Sequence, residues 1–101
     1  PNTSAYNAAN FAVDGFTQAL AKEVGQFDIT VNSVCPGLTE TSRLDAMGRT
    51  DRWEARIAEV PMGRAGTDEE VGELIAFLCS PRAGYITGQS VNVNGGSITE
   101  R

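Results

Sequence analysis

The chain contains no histidine and a single lysine, and its two cysteines, Cys35 and Cys79, lie far apart. The ligand spacings of a zinc site are therefore missing, and no metal is expected. Each cysteine stands beside apolar residues and reads as a reduced core thiol rather than half of a disulfide. No stretch approaches the length of a transmembrane helix, and the sequence, which begins at Pro1, shows neither a charged leader nor an apolar signal core. Membrane insertion and secretion are thus unsupported, and a soluble, cytoplasmic setting is expected. Eight basic residues stand against thirteen acidic ones, a net charge of −5, and the arginines are scattered from Arg43 to Arg101. Without a basic face to neutralise a phosphate backbone, nucleic acid is not expected as a partner. Repeats and low-complexity tracts are absent too.

What is present is 101 residues, 41% of them hydrophobic, enough for one modest domain or a piece of a larger one. Residues 4–24 place Tyr6, Ala9, Val13, Phe16, Leu20 and Val24 at steps of three and four, the face of a helix that Ser4 can start and Gly25 can end. A second apolar ridge through Ala8, Phe11, Ala12 and Ala19 predicts burial on two sides, against a sheet and against another subunit. DITVNSVC, residues 28–35, is rich in β-branched residues and stops at Pro36 and Gly37, which predicts a strand followed by a loop.

Residues 38–63 are polar and irregular, apart from a short helix that Thr50 can cap and that shows Trp53, Ile57 and Val60 on one side. These residues and Met62 either roof an apolar ligand or tuck against the core. From Thr67 to Cys79 the pattern is a helix with a Thr67/Glu70 capping box, acids in its first turn, and Val71, Leu74, Ile75 and Leu78 as the buried stripe. Ser80 and Pro81 end it, and QSVNVNGG, residues 89–96, predicts a last strand running into a glycine turn. The order helix, strand, flap, helix, strand belongs to the α/β class with a mostly parallel sheet. Two strands do not complete such a sheet, so the chain reads as part of a larger doubly wound domain.

Three blocks share one order and spacing: SAYNAAN running into FAVDGFTQALAKEVG, then TVNSVCPGLTET, then GRAGTDEEV with YITGQSVNVNGG. Together they resemble the C-terminal part of the classical short-chain dehydrogenases/reductases, over nearly all of the chain. The resemblance implies that residues 1–101 are the C-terminal part of a single Rossmann-like domain. The dinucleotide-binding half, with its glycine-rich loop and the family's catalytic serine, would lie upstream of Pro1. It implies an oxidoreductase that interconverts an alcohol and a carbonyl with NAD or NADP, and a homo-oligomer, dimer or tetramer.

Tyr6 matches the family's catalytic tyrosine. A phenol with a pKa near ~10 is a poor base at neutral pH, so the chemistry wants a cation close by to favour the phenolate. A lysine four residues on would lie one helical turn away and also reach the nicotinamide ribose. Position 10 is instead Asn10, which is uncharged and shorter. Lys22 is too far along the helix to replace it. Three accounts stand side by side: a naturally weakened or non-catalytic member acting as a structural or partner subunit, an introduced or single-base change, or a cation supplied from elsewhere in the protein.

The loop CPGLTET resembles the family's cofactor loop. The resemblance implies that backbone groups around Pro36, Gly37 and Thr39 face the nicotinamide and that Thr41 reaches the pyrophosphate; the family often has Val or Ile where Thr39 stands. Residues 42–62 match the family's substrate-binding region. With no dense charge on the roof formed by Trp53, Ile57, Val60 and Met62, the expected substrate is a neutral alcohol, ketone or acyl-type carbonyl rather than a polyanion. GRAGTDEEV and YITGQSVNVNGG read as scaffold and subunit contact.

Overall fold

The computed structural model describes residues 4–40 and 51–98. Helix α1 (Ser4–Val24) runs into a 3-10 turn (Gly25–Phe27), strand β1 (Ser33–Pro36) and the short strand β2 (Thr39–Glu40). Helix α2 (Asp51–Ala58), strand β3 (Gly66–Thr67), helix α3 (Asp68–Leu78), a second 3-10 turn (Pro81–Ala83) and strand β4 (Ser90–Val93) follow. The alternation expected of a Rossmann-like α/β fold is therefore present. The chain divides into two compact units, Pro1–Ser33 with Leu78–Val91 and Val34–Phe77 with Asn92–Arg101.

β1 and β4 are hydrogen-bonded neighbours, and β2 and β3 form a second pair. In the first unit the Ser33 amide donates to the Gln89 carbonyl at 2.9 Å, and in the second the Gly37 amide donates to the Val93 carbonyl at 2.9 Å. Donor and acceptor advance together toward the C-terminus, which is the sense of a parallel pair. β2 and β3 are parallel as well, with Thr39 opposite Gly66 and Glu40 opposite Thr67.

The first strand begins later than the β-branched run at 28–35 predicts. Asp28 is left-handed, with φ of 61°, and its amide closes the 3-10 turn onto the Gly25 carbonyl at 2.9 Å. The left-handed turn thus falls at Asp28 and not at Gly25, and it delays the extended chain. Val31 and Asn32 are then tied to residues 86–89 partly by side chains rather than by a regular ladder. The Val31 amide donates to Thr87 Oγ1 at 2.9 Å, and Asn32 both donates to the Ile86 carbonyl at 3.0 Å and accepts from the Gln89 amide at 3.1 Å. Between them the Gly88 amide reaches the Val31 carbonyl at 2.7 Å.

α3 carries its capping box as expected: the Glu70 amide donates to Thr67 Oγ1 at 3.1 Å and the Thr67 amide to Glu70 Oε1 at 3.0 Å. In the second unit Trp53 and Val60 are buried, so the apolar side of α2 and the turn after it serves as core. Met62, by contrast, is exposed. Thr50, expected to cap α2, lies outside the described residues.

Burial elsewhere falls short of the sequence pattern. Of α1, only Thr17 and Ala21 are buried, whereas Phe11 is 76% exposed and Phe16 66%. The two-sided burial read from its ridges does not occur in this chain, because a helix ridge is covered only where a neighbour exists. On α3, Val71, Leu74 and Leu78 are half-buried and Ile75 is exposed, and Cys79, expected in the core, is exposed while Cys35 is half-buried. Both sulfurs are free thiols. Exposed apolar ridges of this size drive association. Residues 1–101 produced alone should therefore sediment as associated species and melt over a broad range; a single sharp, monomeric unfolding transition would contradict this.

Candidate functional site

Tyr6 and Asn10 belong to the first unit, one turn apart near the start of α1. The Tyr6 side chain is 69% exposed and Asn10 is half-buried. The helix follows from its composition, alanine-rich and free of proline between Ser4 and Val24. Four residues at 3.6 per turn put Asn10 almost directly along the axis from Tyr6, ~6 Å on. Farther along the same side, the Asp14 carboxylate accepts a 2.7 Å hydrogen bond from the Ser90 hydroxyl, and Ser90 in turn accepts one from the Ser33 hydroxyl at 2.8 Å. This polar seat was not anticipated from the sequence. The available signal was Asp14 itself, an acid placed between two apolar ridges.

Pro36, Gly37 and Thr39 belong to the second unit, where β1 ends and β2 begins. Pro36 and Gly37 are exposed and Thr39 is half-buried. A Cβ added to Gly37 would stand 2.5 Å from the Cβ of Asn94, so this position accepts only glycine without displacing backbone. The Gly37 amide is committed to Val93, and Thr39 Oγ1 donates to the Gly37 carbonyl at 3.1 Å. Thr41 lies outside the described residues.

The second unit also holds an open cavity of about 320 Å³, lined by Met62, Arg64, Gly66, Glu70 and the turn from Asn92 to Gly96. Arg64 and Glu70 face each other there in a two-pronged ion pair at 2.8 and 2.9 Å. The Arg64 guanidinium, aided by the Thr67 amide, pushes the Glu70 carboxyl down from 4.5 to about 2. Arg64 is raised in return by the same hydrogen bond. The ion pair ties the β3 entry to the cap of α3. Both partners are exposed, so its role is local geometry rather than global stability. Among the described residues no cluster of acids or cysteines could hold a metal ion, and no helix is long and apolar enough to cross a membrane.

A family model described as enoyl-(acyl carrier protein) reductase matches residues 1–97. The 3-oxoacyl-(acyl-carrier-protein) reductase FabG of Vibrio cholerae is 46% identical over 91 residues, which are 90% of this chain and 37% of that protein. The acetoacetyl-CoA reductase of Shinella zoogloeoides is 41% identical over 93 residues, 92% of this chain and 39% of that protein. Among solved structures, a Serratia marcescens short-chain dehydrogenase/reductase superposes with a TM-score of 0.85 at 34% identity, covering 94% of this chain and 38% of that one. The chain thus spans well under half the length of the relatives it matches.

Because a depressed carboxylate stabilises its folded surroundings above its unfolded pKa and ceases to do so as the pH falls through the folded one, the Glu70 staple should hold above pH 4.5 and open as the pH falls toward about 2. A carbon-13 titration of the Glu70 carboxyl should show this low midpoint, and Arg64→Gln should return it toward the ordinary range. An ordinary midpoint in the parent protein would show that the staple does not form in solution.

Proposed function

The chain belongs to the classical short-chain dehydrogenase/reductase family, and we propose that it is the C-terminal part of a single domain that interconverts an alcohol and a carbonyl with NAD or NADP. The observation that carries the proposal is the family match over residues 1–97, together with Tyr6 at the family's tyrosine position. The short coverage of its relatives and the two-stranded sheets support the incomplete-domain reading. The names of the relatives, a 3-oxoacyl and an acetoacetyl thioester reductase, favour a 3-oxoacyl thioester as the substrate. The four basic and four acidic residues of the 42–62 segment balance, so it carries no net charge to favour a polyanion over such a neutral carbonyl.

The residues present suit a nicotinamide cofactor. Pro36 and Gly37 are exposed at the carboxyl end of a parallel strand, where ligands of open α/β sheets bind. By the family resemblance, backbone groups around Pro36, Gly37 and Thr39 would meet the nicotinamide, Thr41 the pyrophosphate, and Tyr6 and Asn10 the ribose. When bound in reduced form, the cofactor supplies a hydride to the carbonyl carbon.

Tyr6 then gives its phenolic proton to the carbonyl oxygen as negative charge builds there, and takes it back in the reverse direction. Asn10 can orient a ribose hydroxyl through its amide but cannot favour the phenolate by charge. Turnover is therefore weak, by about 100- to 10,000-fold if all acid–base assistance is lost. The same residue favours a second reading, a family member that binds without turning over and serves as a structural or partner subunit of a homo-oligomer.

In the complete protein, Asn10→Lys should raise turnover and move the pH profile of alcohol oxidation toward lower pH. An unchanged rate and profile with cofactor bound would remove position 10 from the neighbourhood of the phenol. Binding should outlast catalysis, because one or two lost hydrogen bonds weaken affinity by only about tenfold to a hundredfold. Fluorescence titration with NADH and NADPH should show binding that Thr41→Ala weakens and that Tyr6→Phe leaves nearly intact while abolishing turnover. If neither cofactor binds at millimolar concentration, the oxidoreductase reading fails and the partner-subunit reading takes its place.

A further inference from the structure

Tyr6, Asn10 and Asp14 follow one another at four-residue steps on α1. Each step overshoots a full turn by ~40°, so the three share one broad side of the helix, with Asp14 ~12 Å from Tyr6 along the axis. The C-terminal half of α1 is seated by packing: Thr17 and Ala21 are buried, and a Cβ added to Gly88 would lie 3.4 Å from the Ala21 methyl. Toward the N-terminus this seating gives out, and Tyr6, Phe11, Val13 and Phe16 are all more than half exposed. Asp14 stands at the transition.

We propose that Asp14 is a positioning residue, whose hydrogen bond to Ser90, backed by Ser33, sets the rotation of α1 about its axis and with it the aim of Tyr6 and Asn10. This rests on the reading of Tyr6 as the acid–base group.

The bonds have one direction. An ionised carboxylate can only accept, so Ser90 must spend its single proton on Asp14, and its oxygen is left to accept from Ser33. Such a charge-assisted bond is short and stiff, and all three residues lie within the first compact unit. Ser33 opens β1 and Ser90 opens β4, so the acceptor on the helix is referenced to the first residue of each paired strand. The leverage is large for a small rotation. On a helix whose side chains reach a radius of ~5–6 Å, turning by ~10° moves a side-chain tip by ~1 Å. A misplacement of ~1 Å at a reacting group costs up to about a hundredfold in rate.

Two measurements on the complete protein test this, in Ser90→Ala, Asp14→Ala and the conservative Ser90→Thr and Asp14→Asn, which keep a hydroxyl donor and an oxygen acceptor. The first is turnover of a 3-oxoacyl thioester at saturating reduced cofactor, beside the cofactor Kd. Both alanine variants should lose about tenfold or more in kcat with Kd within about twofold, the conservative pair should stay near the parent, and the double alanine variant should be no worse than Asp14→Ala alone. The second is fluorine NMR of protein containing 3-fluorotyrosine, with the Tyr6 signal assigned by its loss in Tyr6→Phe. That signal should shift or broaden in the alanine variants and not in the conservative ones, while Tyr85 stays still.

An unmoved Tyr6 signal in Asp14→Ala, or an Asp14→Asn variant as impaired as Asp14→Ala, would overturn the positioning role. A moved signal in a protein whose turnover survives Tyr6→Phe would instead uphold the positioning and remove Tyr6 from the chemistry.

Discussion

The second unit depends on how closely two stretches of backbone approach at Gly37 and Asn94. With a side chain at position 37 the Cβ would come within 2.9 Å of the Asn94 Cα, closer than nonbonded carbons tolerate. Glycine there lets the Gly37 amide meet the Val93 carbonyl, and the chain can then turn into β2, where the Gly66 amide meets the Leu38 carbonyl at 2.9 Å. The turn after β4 is tight for the same reason. Gly95 and Gly96 have φ of 62° and 96°, and the Gly95 carbonyl accepts from the Met62 amide at 3.1 Å. Loop, turn and the cap of α3 are thus strung on a few backbone bonds that side chains would obstruct.

The first unit is built differently. Its long helix is held by small contacts, Ala21 beside Gly88 and Asp14 on Ser90, while its large side chains face outward. A helix with such a ridge gains most of its stability from partners rather than from propensity. Family membership fits this pattern, because the chain matches well under half of each relative.

Short-range features were legible in the sequence. The capping box of α3 joins residues three apart, so Thr67 and Glu70 announce it without any knowledge of the fold. The family was legible from Tyr6 and the Pro36–Gly37 punctuation in combination with the other blocks, while the roles of Tyr6 and Asn10 belong to the proposal. Long-range features were not. The delayed start of β1 depends on a left-handed Asp28 and on Asn32 reaching across to Ile86 and Gln89. Nothing local distinguishes that asparagine from a surface residue. Periodicity found the apolar faces of α1 and α3, but a periodic pattern says which side is apolar and not whether anything covers it. The Arg64–Glu70 fork was hidden for a similar reason, since its six-residue reach needs the intervening β3 turn.

The proposed function is hydride transfer with Tyr6 in the position of the family's tyrosine and Asn10 in that of its lysine. The most direct measurement is mass spectrometry of the product formed when the complete protein is incubated with a 3-oxoacyl thioester and reduced cofactor carrying deuterium on the transferable position. The account predicts a 3-hydroxyacyl product, formed slowly, with a single deuterium on the carbinol carbon and none when Tyr6 is Phe. Cofactor bound at saturation with no labelled product after prolonged incubation would contradict it.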